Sequence, residues 1–505
     1  MPGLKKIPFF LFLLVLFFCL HGSVENYGYL HLNEVVMVGL VITVCIASLF
    51  LVILFFTRNY AFASLVTFFI SLWYLFFGVI HDLIKSETFL SFLRSYTIIV
   101  SLLIICTILW IIFLIRNRQL QLKLVFYLNL LLLIYCIFDG FLLLGKYNRA
   151  DKITPMPAVV FDASVTSQKP NVYYLLLDEY AGYTSLKDSF GFRNDVFYDF
   201  LQQNGFEQLP VFANYKSTVY SMSSILNMRY INRTGNNKDI DQFDYLDRLE
   251  EINNASVVAA FKNMGYSIYN FSIFDVNDMP AITEDNDNGI ITRHRMLLTD
   301  KILHKRADRE IGWNIPPNFK RWLPFLKNTN LLIDIENNDR AIQQSRELAR
   351  SRKKAPFFCY THVMMPHWQY YFDSAGKANP LHLVLPKASI TNKKLYLGYL
   401  QYSSRIMSGL ITDIILADPS AIVVLMSDHG FRNYADQRSF QPYHFDNICA
   451  VRFPDKNYLP YKEKWSTVNF FRYVFNCEFG QKIPYLPDSA IFVNEYSKLK
   501  IKNEE

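Results

Sequence analysis

"AIVVLMSDHGFRN" occupies residues 421–433. Six mostly apolar residues, rich in β-branched types, run straight into Ser427, Asp428, His429 and Gly430. Such a run suits a pleated surface buried on both faces, so it predicts a strand. The strand ends in an acid and an imidazole, both of them metal-ligand types. In open α/β sheets, ligands sit at the carboxyl ends of strands. A second stretch has the same form: "NVYYLLLDEY" (171–180) runs into Asp178 and Glu179. In a parallel sheet both ends lie on one edge. A single strand-end Asp is ordinarily a cap or turn residue. Two such ends joined by His429 favour a shared site.

Working outward, "YSIYNFSIF" (266–274), "PFFCYTHV" (356–363) and "NICAVRF" (447–453) read as further strands, with helical stretches at 193–204, 336–352 and 391–417. Alternating strands and helices predict an α/β fold with a mainly parallel central sheet covered on both faces. It spans residues 170–505 as one domain. Cys359, Cys449 and Cys477 are an odd number without regular spacing, and two lie in apolar strands, so free thiols are expected rather than a disulfide framework.

The first 145 residues read differently. Of the 505 residues, 51% are hydrophobic and 16% aromatic, and the excess is concentrated at the front. Apolar runs at 7–20, 35–56, 60–80, 96–115 and 124–144 predict five transmembrane helices. Lys5, Lys6, Arg58, Arg116, Arg118 and Lys123 fall at the N-terminus and after spans two and four. The positive-inside rule then puts the N-terminus in the cytoplasm and everything after Lys146 outside. Residues 146–169 are polar, carry prolines and read as a linker. A net charge of +7 without a long basic run gives no nucleic-acid signature.

Between the two acid-tipped strands lies "FANYKSTVYSMSSILNMRYIN" (212–232), in which hydroxyls precede and enter a helical run at 218–228. A Ser or Thr there is ordinarily a cap. A helix N-terminus also favours an anion. A hydroxyl beside a divalent cation at that place is a nucleophile toward a phosphate or sulfate ester.

The order of "LLLDEY", "YKSTVYSMSS", "THVMMPH" and "LMSDHGF" resembles the sulfatase-like branch of the alkaline phosphatase superfamily. With the apolar front end, the chain looks like the membrane-anchored group that includes lipoteichoic acid synthases and lipid A phosphoethanolamine transferases. The resemblance implies a metal site of Asp178, Thr218, Asp428 and His429, with Glu179 a weaker ligand candidate. It implies Thr218 as the nucleophile, with Ser217 as its rival, and a zinc or manganese cofactor, with magnesium and calcium as alternatives. His362, His367 and His444 match substrate-binding histidines of the transferases. His294 and His304 read as surface residues. Tyr220 and Met222 stand where the sulfatase signature has Pro and Arg. That departure disfavours a formylglycine mechanism and favours a phospho-threonine intermediate.

The implied activity is transfer of a phospho-headgroup, phosphoethanolamine or glycerophosphate, from a membrane phospholipid donor to a surface glycan or lipid acceptor. The setting is the outer face of a bacterial cytoplasmic membrane. The alternatives are a sulfatase or phosphodiesterase with water as acceptor, and a non-catalytic membrane partner in glycan assembly.

Overall fold

The computed structural model describes residues 7–493 apart from positions 31 and 278 and the stretches 87–94, 151–168, 232–241, 283–296, 312–328, 352–355, 385–386 and 434–440. The chain forms two compact units, one of Met1–Thr154 with Asp285–Asn330, the other of Pro155–Glu284 with Leu331–Glu505.

In the first unit, α1 (Phe10–Glu25), α2 (Leu32–Thr57), α3 (Tyr60–Leu75), α4 (Phe77–Ser86), α5 (Tyr96–Arg116) and α6 (Arg118–Ala150) surround a core that includes Phe10, Leu14, Phe18, Leu65 and Leu132. The α2, α5 and α6 helices are long and apolar enough to cross a membrane. The α3 and α4 helices qualify as one further span bent by 57°. Among the described residues that makes three spans, or four with the bent pair; the fifth expected span falls on α1, whose 16 residues give about 24 Å of helix against a hydrocarbon core of ~30 Å. On α2, Leu40, Val44, Leu51, Phe55 and Phe56 face outward and exposed, an apolar surface for which lipid is the matching solvent. The α6 helix continues to Ala150, so the expected linker begins as helix; its remainder, 151–168, lies outside the described residues.

A segment that the sequence reading left in the outer domain belongs to this first unit. Leu298 and Ile302 join the helical core. The Gly78 N–H donates to the Lys301 carbonyl (2.7 Å). Asp82 pairs with Lys301 (3.0 Å) and with Arg306 of α12 (Leu303–Ile311). His304 is not a free surface residue: its Nδ1 lies 2.6 Å from the Tyr74 hydroxyl and the two rings stack. His294 lies outside the described residues.

The second unit is built on a six-stranded sheet of β1 (Val172–Leu177), β2 (Glu207–Gln208), β4 (Ser267–Phe271), β5 (Phe357–Val363), β6 (Ile422–Ser427) and β7 (Cys449–Arg452). The order is β2-β7-β6-β1-β5-β4. The four strands β6, β1, β5 and β4 run parallel, and β7 and β2 close one edge antiparallel to their neighbours. A small second sheet pairs β3 (Val211–Phe212) with β8 (Trp465–Ser466).

Both faces are covered, which is why these strands are apolar without alternation. On one face Val172, Tyr174 and Leu176 pack with residues of α9 (Thr218–Asn227), α11 (Ser256–Asn263) and α15 (Phe470–Glu478). On the other, Tyr173, Leu175 and Leu177 pack with α7 (Tyr183–Phe190), α8 (Asp195–Gln203), α13 (Thr329–Arg350) and α14 (Lys393–Ala417). Flanking α9 is α10 (Gln242–Asn253). Cys359, Cys449 and Cys477 are buried and free.

Phe261 of α11 is fully buried and stacks on Phe358 of β5 with ring centroids 4.5 Å apart. Phe261→Ala is therefore expected to destabilise the second unit by about 3–5 kcal/mol, the range for a buried Phe truncation. Chemical denaturation of the full chain, followed in the near-UV, reads this. A loss below about 1 kcal/mol would mean that the stack is not part of the cooperative core.

Candidate metal centre and nucleophile

β1 and β6 run in register from Val172↔Ile422 to Leu177↔Ser427. One step further, Asp178 and Asp428 stand side by side at the carboxyl edge of the sheet. The alternation that puts Tyr174, Leu176 and Met426 on the α9 face puts both carboxylates there too. His429 follows, and Asp178, Asp428 and His429 bring one ligand atom each within 4.8 Å of one another, all three buried.

The turns that hold them are tightly pinned. Asp178 donates its N–H to the Val363 carbonyl (3.0 Å), and the N–H groups of Glu179 and His429 both donate to Asp428 Oδ1 (3.0 and 2.9 Å). Glu179 lies in the left-handed region at φ 60°, a strained conformation for a side-chain-bearing residue. Three hydrogen bonds over-determine it: the Tyr396 hydroxyl donates to its carbonyl, while Arg432 N–H and Asn433 Nδ2 both donate to Oε1. Gly430 is required by close approach, because a Cβ there would lie 2.3 Å from the Tyr443 carbonyl and 2.4 Å from that of Asp446.

Thr218 opens α9, and its Oγ1 lies 3.3 Å from His429 Nε2. The His429 Nδ1–H donates to the Gly430 carbonyl (2.8 Å). That bond leaves Nε2 as the lone-pair nitrogen facing Thr218 and the carboxylates. Ser221 of the same helix donates its hydroxyl to the Asp428 carbonyl (2.5 Å), tying α9 to the strand end. Ser217 makes no side-chain cap, so the first-turn N–H groups remain directed at whatever lies before the helix. Of the two rival hydroxyls, Ser217 is buried at 3% exposure, whereas Thr218 is partly open.

The electrostatics call for a cation. Asp178, Glu179 and Asp428 are all essentially fully buried, and among the described residues Asp178 Oδ1, Glu179 Oε2 and Asp428 Oδ2 have no hydrogen-bond partner, with the His429 Nε2 lone pair 3.1 Å from Asp428 Oδ2. Buried carboxylate oxygens are costly unless paired or coordinated. Burial and the adjacent Asp178 carboxylate push Asp428 up to about 7. Asp178 itself lies below the usual carboxylate range: its burial is outweighed by His367, His362 and His429. Burial and the charge of Arg432 bring His429 down to about 4, so it is a neutral imidazole near pH 7. Two carboxylates, one neutral imidazole and one hydroxyl oxygen match the donor types that hold zinc or manganese.

The remaining candidates are spread around this centre. His367 Nε2 lies 3.1 Å from Arg432 Nη2 and 3.8 Å from Glu179 Oε2, with its side chain 19% exposed. His444 is buried in a short turn, and its carbonyl accepts the Gly430 N–H (2.9 Å). His362 has a side-chain exposure of 0% and lies behind Asp178, with Nε2 3.5 Å from Oδ2. Lys216 is buried over the Phe492 ring. Tyr370 and Tyr371 are buried among aromatics, and the Trp368 indole donates to Ser389, so these residues pack the fold. Sequence reasoning missed Ser221, Tyr396 and Asn433, whose partners lie at least 200 residues away along the chain. No local pattern signals such bonds.

No family model matches this chain, and no curated protein does. Solved structures similar to it include the C-terminal periplasmic domain of EcEptC from Escherichia coli, at 13% identity and a TM-score of 0.39, covering 68% of this chain and 95% of that one. The same domain in complex with Zn is similar at 14% identity and 0.38, covering 68% and 91%. A putative sulfatase from Bacteroides thetaiotaomicron is similar at 12% identity and 0.37, covering 65% and 74%.

Proposed function

We propose that this chain is a membrane-anchored, metal-dependent transferase that moves a phospho-headgroup from a membrane phospholipid to a surface glycan or lipid. The observation that carries the reading is the convergence of two buried carboxylates, Asp178 and Asp428, and the neutral imidazole of His429 beside a partly open threonine at a helix N-terminus. Asp178, Asp428, His429 and Thr218 would hold a divalent cation, zinc or manganese by donor type. Such a cation lowers the pKa of a coordinated hydroxyl and polarises an ester oxygen.

The protein's own groups supply the rest. Thr218 Oγ1 attacks the donor phosphorus and loses its proton. The bond from phosphorus to the diacylglycerol oxygen breaks, and that oxygen leaves with the proton given up by Thr218, so the step neither gains nor loses a proton overall. The first-turn N–H groups of α9 face the phosphoryl oxygens. Arg432, held beside His367 (3.1 Å), adds positive charge near the carboxylates. An acceptor hydroxyl then displaces Thr218 by the reverse proton movements. Tyr220 and Met222 are fully buried in α9, so the positions that differ from the sulfatase signature serve packing. A bilayer anchor raises the effective concentration of a lipid donor at the site.

The experiment is reconstitution of the full chain in vesicles with headgroup-labelled phosphatidylethanolamine or phosphatidylglycerol. Release of diacylglycerol with label retained on the protein supports the reading. Release of free phospho-headgroup into water alone, with no transfer to any surface glycan, replaces it with the hydrolase reading.

The reading also needs the second unit outside the cytoplasm, with the five apolar segments all crossing. A reporter active only outside the cytoplasm, fused after residue 160, is expected to be active. Silence there would leave a surface-glycan acceptor out of reach.

A further inference from the structure

His362 stands on β5 behind Asp178. It sits two positions after Tyr360 on β5, so the two side chains share a face, and the register with β1 pairs Tyr360 with Tyr174 and His362 with Leu176. Asp178 is the next residue of β1 on that face. Tyr360, His362 and Asp178 each have 1% exposure. They form a line: the Tyr360 hydroxyl is 3.1 Å from His362 Nδ1, and His362 Nε2 is 3.5 Å from Asp178 Oδ2. The Phe274 ring packs against the imidazole at 5.8 Å.

The tautomer follows from the partners. If Nδ1 carried the proton, it would donate to Tyr360, the phenol proton would lose its acceptor, and the Nε2 lone pair would face a carboxylate oxygen. With the phenol donating to Nδ1, Nε2 carries the proton and points its positive N–H end at Asp178 Oδ2, 3.5 Å away, a favourable approach longer than a full hydrogen bond. Oδ2 is thereby the oxygen turned toward His362, and Oδ1, which has no hydrogen-bond partner among the described residues, is left for an ion. A group that binds substrate must present an atom to it, and this side chain presents none.

We propose that His362 is a positioning residue: with Tyr360 behind it, it holds the Asp178 carboxylate so that Oδ1 faces the divalent cation. Hydrogen bonds from behind a ligand set its orientation, and their loss typically weakens metal affinity ~10–100-fold. This inference rests on the metal-site reading above.

The test uses the full chain in detergent and compares His362→Leu, His362→Gln and Tyr360→Phe. Zinc affinity is measured by competition with a chromophoric chelator, and the Co²⁺ ligand-field spectrum is recorded. His362→Leu is expected to weaken zinc binding ~10–100-fold and to alter the Co²⁺ spectrum. His362→Gln keeps an N–H donor and should recover much of the affinity. Tyr360→Phe removes one oxygen atom and should shift both readouts in the same direction, less far. If His362→Leu does not fold, Tyr360→Phe decides: an unchanged spectrum and affinity overturn the proposal. A folded His362→Leu with wild-type zinc affinity, and with a raised KM for the donor, makes His362 a substrate contact instead. A wild-type chain that takes up no divalent ion overturns the metal-site reading and this proposal together.

Discussion

Thr218→Ala is expected to abolish turnover, with a loss on the order of 10³-fold or more, as when a covalent nucleophile is removed. Its side chain is the partly open hydroxyl at the uncapped start of α9, 3.3 Å from His429 Nε2. The substitution removes one oxygen and leaves the helix intact, because the Oγ1 of Thr218 supplies no cap that α9 needs and the Ser221 N–H still reaches the Ser217 carbonyl. The melting temperature should stay near that of the wild type. With a headgroup-labelled donor and no acceptor, the wild type should carry the label on the peptide containing Thr218, read by intact-mass and peptide mass spectrometry. An adduct on Ser217 would move the nucleophile by one residue. Retained activity in Thr218→Ala would remove the covalent mechanism.

Asp428→Asn carries the other large effect. Asp428 Oδ1 already accepts two backbone N–H bonds, from Glu179 and His429, while Oδ2 has no hydrogen-bond partner among the described residues. The amide therefore keeps its oxygen on those two bonds and presents an NH₂ group where Oδ2 stood. Divalent-ion affinity should fall by more than ~100-fold, since groups acting from behind a ligand already account for ~10–100-fold. The repulsion with Asp178 disappears at the same time, so the apo protein should be at least as stable as the wild type. Elemental analysis after dialysis and a denaturation curve check both halves. One equivalent of ion retained by Asp428→Asn would place the metal elsewhere. A less stable apo variant would mean that the buried carboxylate pair is not a strain on the fold.

The two strand ends were legible because each is a purely local pattern. "AIVVLMSDHG" and "VYYLLLDEY" declare a doubly buried strand and its terminal acids within ten residues or so, and parallel pairing makes their shared edge follow. The choice of Thr218 over Ser217 was not local. It came from a resemblance in spacing, and the structure adds the difference in exposure. His362 reads in sequence as one more histidine at a strand end. Its place behind Asp178 depends on the register between β1 and β5, which brings together residues 184 apart in the chain.

The sequence by itself determined two parts: an apolar helical front and an α/β sheet with carboxylates at its edge. Periodicity and residue type are enough for that, since burial of apolar surface dictates both. Only the tertiary structure decided that residues around Leu298–Ile311 join the helical unit rather than the sheet. That segment is a short, charged helix with two apolar anchors, and its affinity for α3 and α4 lies in Asp82, Gly78 and Tyr74, more than 200 residues upstream. The tertiary structure likewise decided which oxygen of each carboxylate is engaged and which is left facing the others. Hydrogen bonds to Asp178, Glu179 and Asp428 come from strands, loops and helices that meet only once the sheet has formed, and sequence distance carries no record of them.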